Sequence, residues 1–173
     1  MADKKKEVKV EVEVEVEPSE NYENAQKVVN KYSMGAAGLS IVTLPGLELG
    51  LLGALQLKMV HSLTKRYGQK FSANAVRGII GSLAGMVAVS HLKSSTLARF
   101  LRAVPVVGFI GSYSVTIYNA ALTYAIGKVF IHHFEAGGTV LTLNAKKIKG
   151  VFEKYFKEGK AAAEAGKLDP EAA

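Results

Sequence analysis

The chain has no cysteine among its 173 residues. That excludes a disulfide framework, a thiolate metal site and a cysteine nucleophile, and nothing points to an oxidising compartment. A phosphate-binding loop is missing too: the glycines at Gly35, Gly50 and Gly78 are not followed by the required lysine, and Gly127-Lys128 runs into Val129 with no glycine upstream at the needed spacing. Lys4-Lys5-Lys6 leads into alternating charges rather than an apolar run, so no classical signal peptide is expected. The net charge is +7, yet the tyrosines and phenylalanines lie in apolar runs rather than among the basic residues. Nucleic acid is therefore not an expected partner. The basic clusters border apolar segments instead, a placement that suits anionic lipid head groups.

Charge is most conspicuously absent from Ala103 to Gly127, a stretch clamped between Arg102 and Lys128. As a helix it would reach roughly 37 Å, enough to cross a hydrocarbon core of about 30 Å. Ser112, Thr116, Asn119 and Thr123 draw one polar stripe along it, while Pro105, Gly108 and Gly111 disturb its start. Such a stripe fits a membrane bundle or a close-packed buried helix. The basic flanks favour insertion, because they can snorkel to the interface.

At the other extreme, Glu7 to Glu17 alternates strictly, with Val8, Val10, Val12, Val14 and Val16 on one face and charge on the other. Two readings stay open: a strand through which copies of the chain associate, or an unstructured acidic tail whose glutamates repel. Pro18 ends the run. A helix follows with Tyr22, Ala25, Val28, Val29 and Tyr32 on one face; another is expected over about Glu48 to Tyr67, closed by Gly68. Ser72 caps a third, in which Gly78, Gly81 and Gly85 would allow close backbone approach. A short amphipathic helix carries Leu97, Phe100, Leu101 and Val104. After the long uncharged stretch, Thr139 to Leu143 reads as a short strand, and Asn144 caps a basic amphipathic helix bearing Ile148, Val151, Phe152, Tyr155 and Phe156. From Gly159 onward no apolar period continues, and a frayed tail is expected.

The candidate functional residues are few. His132, His133 and Glu135 invite a metal or acid-base role, but adjacent helical histidines diverge by about 100° and cannot both face one ion unaided. Capping the helix and binding the Gly137-Gly138 turn, or lipid head groups, is the expected use. Glu48 and Lys58 read as buried ion-pair partners. No catalytic residue, cofactor or metal is expected.

Several segments together resemble a known family. They are Leu44-Pro45-Gly46-Leu47-Glu48, Leu55-Gln56-Leu57-Lys58-Met59-Val60 with Tyr67-Gly68, Val104-Pro105 with Gly108, and above all Thr123 to Lys128 running into Phe130 to Thr139. The resemblance is to DUF697, a GTPase-associated family similar to the carboxy-terminal helical part of YcjF-like membrane proteins, over about Tyr22 to Tyr155. The valine-glutamate arm lies outside that pattern, relatives often show Pro-x-Pro where this chain has one proline, and no GTPase domain is joined to it. The resemblance implies a helical membrane module working beside a GTPase on a separate chain.

The expected architecture is all-α: a bundle of five or six helices over residues 19–158, an amino-terminal β arm over 1–18 and a disordered tail over 159–173. The expected function is a non-enzymatic, membrane-associated module at a cytoplasmic face, anchored to membrane lipids and homo-oligomeric through the arm. A soluble cytoplasmic scaffold that assembles through the arm is the alternative.

Overall fold

A computed structural model describes residues 20–39, 47–93 and 108–168. Among these described residues are five helices: α1 (Glu20–Leu39), α2 (Leu47–Arg66), α3 (Ala73–Lys93), α4 (Gly108–Glu135) and α5 (Lys149–Glu164). No strand occurs among the described residues. The valine arm and the amphipathic helix around Leu97 to Val104 lie outside them. The strand expected at Thr139 to Leu143 is replaced by turns. Val140 and Leu143 are buried beneath it, and among the described residues no strand pairs with that segment, so its alternation serves a folded turn.

Cross-helix contacts fix the topology. Tyr32 meets Ser62 at 3.5 Å, and Gly35 faces Leu55, so α1 and α2 form an antiparallel hairpin. Asn119, Thr123 and Glu135 of α4 bond in order to Glu48, Gln56 and Tyr67, so α4 runs parallel to α2. Gly68, two residues beyond the end of α2, adopts φ +62°, the left-handed conformation that ends the helix. Ser72 then accepts from the backbone of Ala75 at 3.5 Å as α3 turns back. α5 folds back along α4, with Gly159 against Tyr124 and Tyr155 beside His132. One end of the bundle thus holds the finish of α1 and α3 and the start of α2 and α4. The other holds the start of α1 and the turns after α2 and α4.

The uncharged stretch supplies the inner helix. From Asn119 to Ile131 every residue of α4 is buried, which is how a helix apolar all round behaves inside a protein. Among the described residues, no helix is long and apolar enough to cross a membrane. The spanning role expected for Ala103 to Gly127 is therefore corrected: its described part is solvated by α1, α2 and α5. α5 contributes Phe152 and Phe156 to the core and turns its lysines outward, so it covers the bundle.

Two other expectations change. The glycines of α3 do not mediate close approach, since a Cβ at Gly78, Gly81 or Gly85 would meet nothing within 4 Å. The tight crossings are at Gly127, against Val29 and Met59, and at Gly159, against Tyr124. The tail is ordered further than its polarity suggested: α5 continues to Glu164, Gly166 turns at φ +65°, and Leu168 returns to the core. Buried Gly159 and Leu168 supply the apolar contacts that a periodicity reading misses in Ala- and Lys-rich sequence.

Candidate functional site

Lys128 is the most heavily invested polar residue of the fold. It is 6% exposed, on the innermost helix, so its ammonium needs partners inside the protein. It donates to the Tyr22 hydroxyl and to Gln26 Oε1 of α1, both at 2.7 Å. Its Nζ also lies 4.9 Å from the Tyr22 ring centroid, 5.4 Å from that of Tyr155 and 5.9 Å from that of Tyr124, distances of cation–π attraction. Tyr124 in turn donates a short hydrogen bond to Glu158 on α5. One cation therefore ties α1, α4 and α5 together. The snorkelling role expected of Lys128 is wrong for a physical reason: three rings and two acceptors replace the water it would have sought.

Two residues of the polar stripe of α4, Asn119 and Thr123, are also matched inside the protein. Asn119 donates to Glu48 at 2.9 Å, and Gln56 donates to Thr123 at 3.2 Å. Glu48 is half-buried at the start of α2, whereas Lys58 is exposed. The expected Glu48–Lys58 pair is thus not formed; the carboxylate takes the Asn119 amide instead, and Lys58 faces solvent.

The residues at the end of α4 act locally. The His133 ring nitrogen Nε2 lies 3.0 Å from the Thr139 carbonyl and 3.0 Å from Thr142 Oγ1. The Gly138 amide donates to the His133 carbonyl at 2.9 Å, and the His133 ring occupies the space that a Cβ on Gly138 would need. Gly137 provides φ +77° for the same turn. Glu135 accepts from Tyr67 at 2.5 Å, joining the ends of α2 and α4. His132 points elsewhere, its ring edge-on to Tyr155 at 6.4 Å. The two histidines do not converge, and no cluster of three or more His, Asp or Glu able to hold a metal occurs among the described residues.

Electrostatics assigns these groups structural protonation states. Burial pushes the Tyr67 phenol up, and its bond to Glu135 adds to the rise; burial and the bond to Glu158 do the same to Tyr124. Burial raises Tyr118 and Tyr155 as well. His132 is pushed below its ordinary value, first by desolvation and then by the positive charge of His133, Lys154 and Lys128. The phenols are held protonated and the imidazole is held neutral. This arrangement ties the helices to one another.

Two distinct exposed patches lie at the ends of the bundle. At the first, Leu47, Leu49, Leu51 and Met34 are open to solvent, Leu49 by 74%. At the second, exposed Lys65, Arg66, Lys70, Lys146, Lys147 and Lys149 gather around the turns. The sequence places Leu49 and Leu51 inside an expected helix without marking them as exposed, because their exposure depends on which helices cover α2. The same holds for Lys128, whose partners lie more than a hundred residues away in α1.

Comparison with known proteins gives two findings. The family described as "Domain of unknown function (DUF697)" matches residues 4–161, so the match takes in the valine-glutamate arm that the resemblance had placed outside it. "Magnetosome membrane protein 22" of Magnetospirillum gryphiswaldense is 33% identical over 150 residues, covering 86% of this chain and 77% of that protein. No solved structure matches the chain significantly.

Proposed function

The chain belongs to the DUF697 family, and we propose that it is a non-enzymatic module attached to a membrane by the leucine-bearing end of its bundle. The observation that carries this reading is the exposure of Leu47, Leu49 and Leu51 around the first turns of α2, where no other described helix covers them. Successive helical residues at this spacing point to opposite sides, so the turn is apolar around most of its circumference. The only charge between Leu47 and Leu57 is Glu48, already engaged by Asn119. Lys58 follows after about 16 Å of helix rise.

The geometry suits an apolar tip seated about 5–10 Å into the head-group and acyl boundary, with Lys58 at lipid phosphate level. It needs no spanning helix. The relative's name, a magnetosome membrane protein, supports the membrane setting.

The test is co-flotation of the full chain with vesicles, comparing the wild type with Leu49→Glu. Leu49 makes little contact with the core, so the variant keeps its helical content. Withdrawing one leucine, worth about 2 kcal/mol of transfer free energy, weakens binding roughly thirtyfold. Unchanged flotation of Leu49→Glu would remove the basis of the proposal.

A further inference from the structure

The end of the bundle opposite the leucines carries a strong positive charge. Lys65 and Arg66 form the last turn of α2, Lys70 lies in the turn to α3, and Lys146, Lys147 and Lys149 flank the start of α5. All six are exposed. The Tyr67–Glu135 bond and the contact of Tyr67 with Phe134 draw the turns after α2 and α4 together, so the six cations share one end. The six cations outnumber the described acidic groups there: Glu20 and Glu23 stand on the first turn of α1, Glu135 accepts from Tyr67, and Glu153 lies 3.8 Å from Lys149. Lipid does not suit this end if the leucine tip is embedded, because the length of the bundle separates the two.

The same end presents one apolar residue. Leu141, 78% exposed, sits in a turn that is unusually well fixed for a loop. Thr142 donates from its backbone to the Thr139 carbonyl at 3.1 Å, Thr139 donates its N–H to Thr142 Oγ1 at 2.9 Å, and His133 holds both threonines. A rigid turn holds the leucine out between the helix ends, five and six residues before Lys146 and Lys147.

We propose that the occupant of this surface is the chain's own amino-terminal arm, docked in cis. The arm offers the complementary chemistry in one short segment: Glu11, Glu13, Glu15 and Glu17 for the lysines, and interleaved valines for Leu141. It is also delivered to the right place. α1 begins at Glu20, at the basic end, and Pro18 closes the arm just before it. Eleven extended residues, Glu7 to Glu17, reach roughly 36 Å. A tether this short gives an effective concentration on the order of millimolar, which favours the arm's own bundle over a second copy. Arm-to-arm pairing would set glutamate against glutamate in simple registers, a penalty that docking on lysines avoids.

The test is zero-length carbodiimide cross-linking of the full chain in a non-ionic detergent, with isotopically light and heavy protein mixed in equal amounts. Amide links from Glu11–Glu17 to Lys65, Lys70, Lys146 or Lys147 are expected within chains of one isotope. Their yield falls roughly fivefold in 1 M salt, where the screening length shrinks to about 3 Å. The arm's protection from protease gives an independent readout, which Lys146→Gln with Lys147→Gln and, separately, Leu141→Ser reduce without lowering the melting temperature. Links between light and heavy chains would assign the site to a second copy and overturn the proposal, as would links confined to Lys27 and Lys31 of α1 or no links at all. No bilayer is present and Leu49 is not involved, so failure here leaves the membrane reading standing, and the reverse.

Discussion

Substituting Gly127 by alanine probes the crossing on which the bundle closes. A Cβ there would lie 2.5 Å and 2.9 Å from the two γ-methyls of Val29 and 3.2 Å from Met59 Sδ. In an isolated helix the change would be favourable by about 1 kcal/mol. Here it is opposed by overpacking, which costs about 1–3 kcal/mol. The balance is set by Val29, which is fully buried and β-branched: with one strongly preferred helical rotamer, it cannot swing both methyls aside, so α1 has to move. Moving α1 also stretches the Lys128 bonds to Tyr22 and Gln26. We expect a net loss of about 2 kcal/mol, a drop of roughly 4–8 °C in melting temperature for a chain of this size. The assay is thermal unfolding followed by circular dichroism, run on Gly127→Ala, Val29→Ala and the double variant. Removing the Val29 methyls should restore at least about 1 kcal/mol beyond additivity. Gly53→Ala, whose new methyl meets nothing within 4 Å, serves as the control and should be neutral or stabilising. If Gly127→Ala melts with the wild type, or its effect simply adds to that of Val29→Ala, the close crossing is not a determinant of stability.

Lys128→Met should lose about 1–3 kcal/mol in denaturant titration, because the Tyr22 hydroxyl and Gln26 amide oxygen are left without their donor, and Lys128→Glu should lose more. His132, held below its usual value near 6.5, leaves the folded state with fewer bound protons than the unfolded one; stability is therefore complete above about pH 6.5 and declines as pH falls below it. His132→Gln should flatten that acid limb in melting temperature measured against pH. The raised phenols of Tyr67 and Tyr124 act in the opposite range: their contribution is full below about pH 10 and is lost as pH climbs further. Tyr67→Phe should soften the alkaline limb while costing about 1–2 kcal/mol at neutral pH, since the bond from the Tyr67 hydroxyl to Glu135 is lost.

Local signals located most helix boundaries. Gly68, Ser72 and the amphipathic faces of α1 and α5 are read from neighbours in sequence, and the structure places helix ends close to them. Asn144 is a partial case. Its side chain accepts from the Lys146 and Lys147 amides at 3.0 and 3.3 Å, capping a turn, while α5 itself starts at Lys149. What escaped reading depends on distant partners. Glycine spacing in α3 looks like a packing device, yet whether a glycine is crowded depends on the opposite helix, and Val29 lies opposite Gly127, not opposite Gly81. Glu48 and Lys58 are polar residues on one helix, but the Asn119 amide decides which of them is drawn inward.

The uncharged stretch shows why composition alone leaves the setting open. Apolar all round, interrupted by small polar groups and flanked by cations, the segment meets the requirements of a lipid span and of the innermost helix of a bundle equally well, because both surroundings are dry. Its polar residues separate the two. Asn119 and Thr123 could bond to other helices in either place, but their partners here are Glu48 and Gln56, and the flanking Lys128 is turned inward to Tyr22 and Gln26. A helix whose cation and polar stripe are both satisfied by protein has no face left for lipid between Asn119 and Ile131. On the proposed reading, contact with a membrane falls to another part of the molecule, the exposed leucines at the start of α2.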